Sequence, residues 1–229
     1  MLAELELPQD VSRPCQGRLV LVSNRGPITH VEDERGRIQS RPTAGGVAVA
    51  LNTVAQRQPV TWVAAASSAR DSRLAQTKKR VPLCGGSFAR FVSLPAAVNE
   101  TFYSSFCNPL LWFVQHGLTS ELTYRTRAEA LSSWNAGYVP ANQAFAAAAI
   151  EEIVRQGAGQ VMLHDYHLYL APQFIRARLP NCAIQHFVHI PWPAPQAWFG
   201  MPSCLVKDIC AGLLACDSVS FQTERAVDN

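Results

Sequence analysis

The chain has 229 residues, 48% of them hydrophobic and only 16% charged, with a formal net charge of +3. This apolar content is ample for one well-packed core and marginal for two, so one large domain is expected. So small a basic excess excludes a face built to neutralise a nucleic-acid backbone and suits a small anionic ligand better.

After a polar lead-in over residues 1–17, Arg18 to Asn24 reads as a buried-type strand punctuated by Gly26-Pro27. Ile28 to Val31, a turn from Glu32 to Gly36, and Arg37 to Ser40 form an exposed hairpin. Thr43, Ala44, Gly45 and Gly46 lead into a helix from Val47 to Gln56, and paired glycines at a helix entrance leave backbone N–H groups open to an anion. Val60 to Ala66 is a second strand, and the polar, basic Ser67 to Arg80 fits a helix or a loop. Phe91 to Leu94 is a third strand, Val98 to Asn108 a helix or ordered loop, and Leu110 to Val114 carries Trp112. Arg127 to Gln156 has helical composition, in which Pro140 either kinks the helix or opens a second one, with Gly157 as the cap.

The rest is arranged around Val161 to Pro193. An apolar run ends in His164-Asp165-Tyr166-His167. A helical segment from Leu168 to Leu179 follows, then a second apolar run, Ile184 to Val188, ending in His189-Ile190-Pro191-Trp192-Pro193. Strand, polar tip, helix, strand, polar tip describes a parallel crossover, which puts both tips on the edge where open α/β sheets bind ligands. A helix from Cys204 to Ala215, a strand from Ser218 to Phe221 and a helix opening in Gln222 to Asn229 complete an α/β, mostly parallel sheet with flanking helices.

Seven cysteines, at 15, 84, 107, 182, 204, 210 and 216, are an odd number without a C-x-x-C pair. Cys204, Cys210 and Cys216 each turn about 240° from the last on a helix, so they form neither a metal cluster nor a disulfide framework. Reduced core thiols are expected. Met1 to Pro14 has no basic start followed by an apolar core, and no apolar run nears the ~20 residues of a membrane span. A soluble, cytoplasmic protein is expected.

The polar residues at the strand ends are Asn24, Arg25, Asp165, His189 and Gln222, which a parallel sheet gathers with Gly45-Gly46 into one crevice. An arginine, backbone donors, a carboxylate and imidazoles suit a ligand that bears phosphate and hydroxyls. Arg25 either clamps a phosphate through charge-assisted bonds of roughly 1.5 to 3 kcal/mol each, or is a surface arginine. Asp165 either accepts bonds from sugar hydroxyls or caps the helix after it. His164, His167 and His189 lack a regular metal-ligand spacing, and His186 belongs to the core. With Asp165 the one well-placed acid and no G-x-S-x-G, hydrolysis by paired carboxylates or a serine nucleophile is disfavoured.

Several motifs then occur in a fixed order: Leu21-Val22-Ser23-Asn24-Arg25, Ala44-Gly45-Gly46-Val47, Tyr103-x-x-Phe106-x-Asn108-x-x-Leu111-Trp112, and Tyr138-x3-Asn142-x2-Phe145-Ala146. His164-Asp165-Tyr166-His167-Leu168, His189-Ile190-Pro191-Trp192-Pro193, and Gly212-Leu213-Leu214 with Asp217 and Phe221-Gln222-Thr223 follow. From about Arg18 onward the chain resembles the trehalose-6-phosphate synthases. The resemblance implies the N-terminal, acceptor-side half (18–229) of a retaining GT-B glycosyltransferase, with Rossmann-like domains facing across a cleft. Glucose would pass from a nucleotide sugar such as UDP-glucose to glucose 6-phosphate, without a metal or other cofactor. By matching position, Arg25, Tyr103 and Trp112 line the acceptor site, Asp165 binds sugar hydroxyls at the reaction centre, His189 lies beside the donor sugar, and Gly45 and Gly46 meet the donor diphosphate.

Departures from the pattern are Gly26 where the family has a bulky residue, Trp192 for Phe, and Phe113-Val114-Gln115-His116 after Trp112. They leave open a relative that glucosylates another acceptor, such as glycerol 3-phosphate, or a non-catalytic binding module. A metal-dependent hydrolase using His164 and His167 is the third reading. The resemblance also implies a second domain that supplies the cations for the leaving diphosphate, so the piece alone is expected to be inert. An apolar face left wet would favour a homo-oligomer.

Overall fold

A computed structural model describes residues 18–118 and 127–229; the polar lead-in lies outside them. Nine strands and nine α-helical segments are present among the described residues. The main sheet uses β1 (Leu19–Ser23), β4 (Val60–Ala65), β5 (Val81–Pro82), β6 (Phe88–Val92), β7 (Gln160–His164), β8 (Ala183–Phe187) and β9 (Ser218–Ser220) in the order β5-β6-β4-β1-β7-β8-β9. All neighbours pair in parallel except the antiparallel β5 at one edge. The chain winds from β1 out to β6, returns, and winds the other way through β7 to β9. The winding therefore reverses between β1 and β7, and a doubly wound sheet opens its ligand crevice at that reversal.

β1 shows why such strands read as continuous apolar runs. Val20 and Val22 face the larger core, packed with α6 (Val139–Gln156) and α7 (Ala171–Arg178), while Leu21 shares the other core with Leu51 and Ala55 of α1 (Gly46–Arg57) and with Trp62 of β4. Both faces are covered, so alternation disappears from the sequence. α2 (Ala69–Gln76), with Ser68 accepting from the Asp71 N–H, supports the β6 side with Ala75, Ala89 and Phe91. β2 (Ile28–Glu32) and β3 (Ile38–Pro42) form the expected hairpin.

Several local expectations change. The third strand begins at Phe88, three residues early, and the Ser67 to Arg80 segment contains a helix. After α3 (Ala96–Glu100) the chain runs through wide i→i+5 turns over Thr101–Trp112, around Pro109, into the short α4 (Phe113–Gln115). A second wide-turn segment, Trp134–Tyr138, follows α5 (Arg127–Ser133), and Pro140 opens α6 rather than kinking it. Gly157 caps α6 as expected. The core-thiol expectation holds for buried Cys107 and Cys182 and in part for Cys216, half-buried against the core. Cys84, Cys204 and Cys210 are exposed, and Cys15 lies outside the described residues. Cys204 and Cys210 fall on the solvent side of α8 (Ser203–Leu214), whose Leu205, Ile209 and Leu213 face the core. α9 (Glu224–Asp228) is capped at its start by Thr223. None of the described helices is long and apolar enough to cross a membrane.

Gly212 has a structural reason within its motif. A Cβ on it would lie 2.0 Å from the Tyr169 carbonyl oxygen and 3.2 Å from Leu170 Cα, so α8 docks directly on the backbone that follows β7. Backbone cannot step aside as a flexible side chain can. Gly212→Ala should therefore destabilise the fold by about 3 kcal/mol or more, read as a lower urea midpoint; an unchanged midpoint contradicts this packing.

Candidate functional site

Each strand end delivers one polar group, held by neighbours that the local sequence supplies. Ser23, at the end of β1, is buried and accepts a bond from Trp62 Nε1 at 2.7 Å while donating to the Arg25 carbonyl at 2.7 Å. This fixes the backbone of the tip and sends the exposed Arg25 side chain over the crevice. Arg25 Nη1 donates to the Ala44 carbonyl at 3.1 Å and Nη2 to Tyr103 Oη at 3.2 Å. Gly45 stands against the Arg25 stem, its missing Cβ position 3.6 Å from Arg25 Cδ, at φ 141°, where an L side chain is strained. Gly46 opens α1 with nothing within 4 Å of its own Cβ position and no side-chain cap, leaving first-turn N–H groups free to meet a ligand.

Tyr103 stacks on His167 at 5.9 Å with an interplanar angle of 8°. Its phenol is held below the usual range by a hydrogen bond with Asn108, against the opposing effect of burial, and by Arg25. Tyr166 Oη donates to Asn108 Oδ1 at 3.0 Å. Arg25, Tyr103, Asn108, Tyr166 and His167 thus form one connected surface.

Asp165 follows β7 at φ 72°, ψ 172°. That region is otherwise almost reserved for glycine and costs a non-glycine residue about 1 to 3 kcal/mol. Its peptide is locked by its N–H to Phe187 O at 2.8 Å and by His186 Nε2 at 3.1 Å from its carbonyl. The helix-cap alternative fails, because the carboxylate accepts no cap bond from the helical turn beyond its neighbour Tyr166. Instead it accepts from the His189 N–H at 3.2 Å. Burial pushes its pKa up to about 6, against the N–H groups of Tyr166, His189 and Ile190. Beside it, His164 Nδ1 meets His189 Nε2 at 3.0 Å. Burial lowers His164, His167 and His186 to about 3, so all three are neutral, and half-buried His189 is lowered too. A knot of shifted groups at one sheet edge is the mark of a functional site.

The structure therefore joins Arg25, Gly45, Tyr103, Asp165 and His189 at the strand ends, with Gly46 at the neighbouring helix entrance. No hydrogen bond or ring contact among the described residues ties Trp112 to them; its ring stacks on His116 at 3.8 Å and meets Phe113. Gln222 is exposed beyond β9 and makes no contact with the cluster among the described residues. Two residues quoted in the motifs without a role turn out to hold the turn after β7. Asn142 donates to the carbonyls of Tyr138 and His167 and accepts from the N–H groups of Leu170 and Ala171, and Tyr138 Oη donates to the Tyr166 carbonyl at 2.7 Å. Their signal was a buried polar pair four residues apart on one helix. The unusual Gln115 is buried and bonded to Tyr169 Oη at 2.8 Å, while Gly26 sits where a Cβ would lie 2.9 Å from Ala64 Cβ. Among the described residues no three His, Cys, Asp or Glu side chains are grouped so as to hold a metal ion. A cavity of about 740 Å³ lies elsewhere, against Trp198, Phe199 and Met201. A smaller one of about 470 Å³ borders Arg25 and Ala44.

Asp165 gives a signed pH test. Its folded pKa of about 6 exceeds the ordinary 3.8, so its stabilising contribution is complete below 3.8 and is lost as pH rises through 6. Relative to Asp165→Asn, the wild type should lose about 3 kcal/mol between pH 3.8 and 7, measured by urea unfolding at each pH. A difference that stays flat contradicts the buried, ionisable carboxyl.

The sequence profile described as Glycosyltransferase family 20 matches residues 17–229. The UDP-forming α,α-trehalose-phosphate synthase A of Dictyostelium discoideum is 31% identical over 210 residues, covering 90% of this chain and 26% of that protein. A UDP-forming α,α-trehalose-phosphate synthase from Burkholderia xenovorans in complex with glucose-6-phosphate superposes with a TM-score of 0.69 at 24% identity, over 93% of this chain and 42% of that one. An Escherichia coli trehalose-6-phosphate structure bound with UDP-2-fluoro glucose gives 0.67 at 24%, over 92% and 41%. The chain thus spans less than half the length of these relatives. With nearly its whole length matched, and its sheet shared with these GT-B structures, the chain belongs to glycosyltransferase family 20.

Proposed function

We propose that the chain forms the acceptor-side wall of a retaining glucosyltransferase that moves glucose from UDP-glucose to glucose 6-phosphate, giving trehalose 6-phosphate. The observation that carries this reading is the pair of bonds from Arg25, one to Ala44 beside the glycine-opened helix and one to Tyr103. On this reading the acceptor-phosphate clamp and the donor-diphosphate cradle lie side by side, which these two bonds support. Arg25 and Tyr103 hold the phosphate of the acceptor. The N–H groups at Gly46 receive the diphosphate of the donor, since a helix entrance is electropositive. Asp165, largely ionised above pH 6, accepts from sugar hydroxyls, and His189 lies beside the donor sugar.

Adjacent phosphate sites bring both substrates to one face, which supports retention. The C1–O bond to UDP breaks, a C1–O bond to the acceptor hydroxyl forms, and the hydroxyl proton passes to the departing diphosphate. Arg25 is the cation of this cluster among the described residues. Further cations for the leaving group come, on this reading, from a facing domain, in keeping with the greater length of the relatives.

Titration calorimetry with glucose 6-phosphate tests the clamp. Arg25→Ala should weaken binding about tenfold or more, the value of one lost charge-assisted bond. Equal affinity for the two proteins contradicts the assignment.

A further inference from the structure

His164 is buried at the end of β7 and has no role in the reading above. Its Nδ1 lies 3.0 Å from His189 Nε2, so one hydrogen bridges the two rings, and either ring could carry it. The other nitrogen of His164 decides between them. His164 Nε2 is buried and has no hydrogen-bond partner. A hydrogen there would be a donor sealed away without an acceptor, whereas an empty lone pair is the lesser penalty. The His164 hydrogen therefore sits on Nδ1 and points at His189 Nε2. His189 must then keep its own hydrogen on Nδ1. Among the described residues that atom has no hydrogen-bond partner and, unlike His164 Nε2, is not sealed from solvent.

We propose that His164 is a positioning residue that fixes His189 in its Nδ1–H tautomer, so that the group offered to the crevice is a hydrogen-bond donor rather than a base. Burial keeps both rings neutral, with His189 and then His186 adding to the effect on His164. Double protonation would set two N–H groups face to face. The ligand atom that meets His189 is therefore an oxygen with a free lone pair, as on a sugar hydroxyl or a phosphate. Asp165 beside it, which already accepts the His189 backbone N–H, supplies the complementary acceptor. The identity of that ligand rests on the sugar-transfer reading; the place of the hydrogen does not.

Long-range proton–nitrogen NMR on the chain labelled with 15N-histidine reads the tautomer directly, with the His189 signals identified by their loss in His189→Gln. The expected wild-type spectrum shows His189 protonated at Nδ1 and bare at Nε2. In His164→Phe the ring should shift toward the Nε2–H form. His164→Asn, whose amide nitrogen falls near the place of the lost Nδ1, should restore Nδ1–H. An Nε2–H form in the wild type, or an unchanged Nδ1–H form in His164→Phe, overturns the proposal. If the Phe variant does not fold, the wild-type spectrum and the Asn variant still decide it. Adding UDP-glucose should move the His189 Nδ1–H resonance. A wild-type Nδ1–H that UDP-glucose leaves unmoved upholds the hydrogen's place and contradicts the sugar-transfer reading instead.

Discussion

Asn142 makes four hydrogen bonds from a fully buried side chain, donating to two carbonyls and accepting from two N–H groups. That is the whole capacity of an amide, and with two carbonyls and two N–H groups around it only one orientation satisfies every partner. Three of the four bonds end on the backbone between His167 and Ala171, the irregular stretch between β7 and α7. Tyr138, one helical turn earlier, adds bonds to the Tyr166 carbonyl and the Tyr169 N–H. Buried turns carry backbone groups that no ladder can satisfy, and these two side chains supply the missing partners. Phe102 and Phe106 pack against Tyr138 and hold it there.

With that turn held, the groups it presents can be forced into states they would not choose. Asp165 keeps a backbone conformation meant for glycine and a carboxyl poorly solvated by its surroundings. His164 and His167 stay neutral, each with a buried ring nitrogen unpartnered. Such strain persists only where the surrounding structure over-determines it, and it concentrates where ligands bind. Around the buried Asp165 the same arrangement strengthens each bond to a hydroxyl-rich ligand, because groups already held in place need little reorganisation.

Much of this was legible in the residues. The strand ends were readable because doubly covered parallel strands are unbroken apolar runs, and the polar residue that interrupts each run marks its tip: Arg25, Asp165, His189. Their convergence followed from topology alone. What could not be read depended on side-chain direction and distance. The His164–His189 bond links residues 25 apart in sequence, and nothing in either motif states which ring nitrogens meet. Trp112 lies nine residues after Tyr103 in one wide-turn segment, and which neighbour each ring meets could not be read: Trp112 stacks on His116, Tyr103 on His167. Phe88, three residues before the expected strand start, already pairs with β4; Arg90 interrupts the apolar run there.

Amide chemical-shift mapping of the chain, titrated separately with glucose 6-phosphate and with UDP-glucose, asks where sugar phosphates sit. The account expects the largest shifts at Arg25, Tyr103, Gly45, Gly46 and the run from Asp165 to His167, with His189 included for the nucleotide sugar. Shifts gathered instead around Trp198, Phe199 and Met201, with the strand ends unmoved, would contradict it.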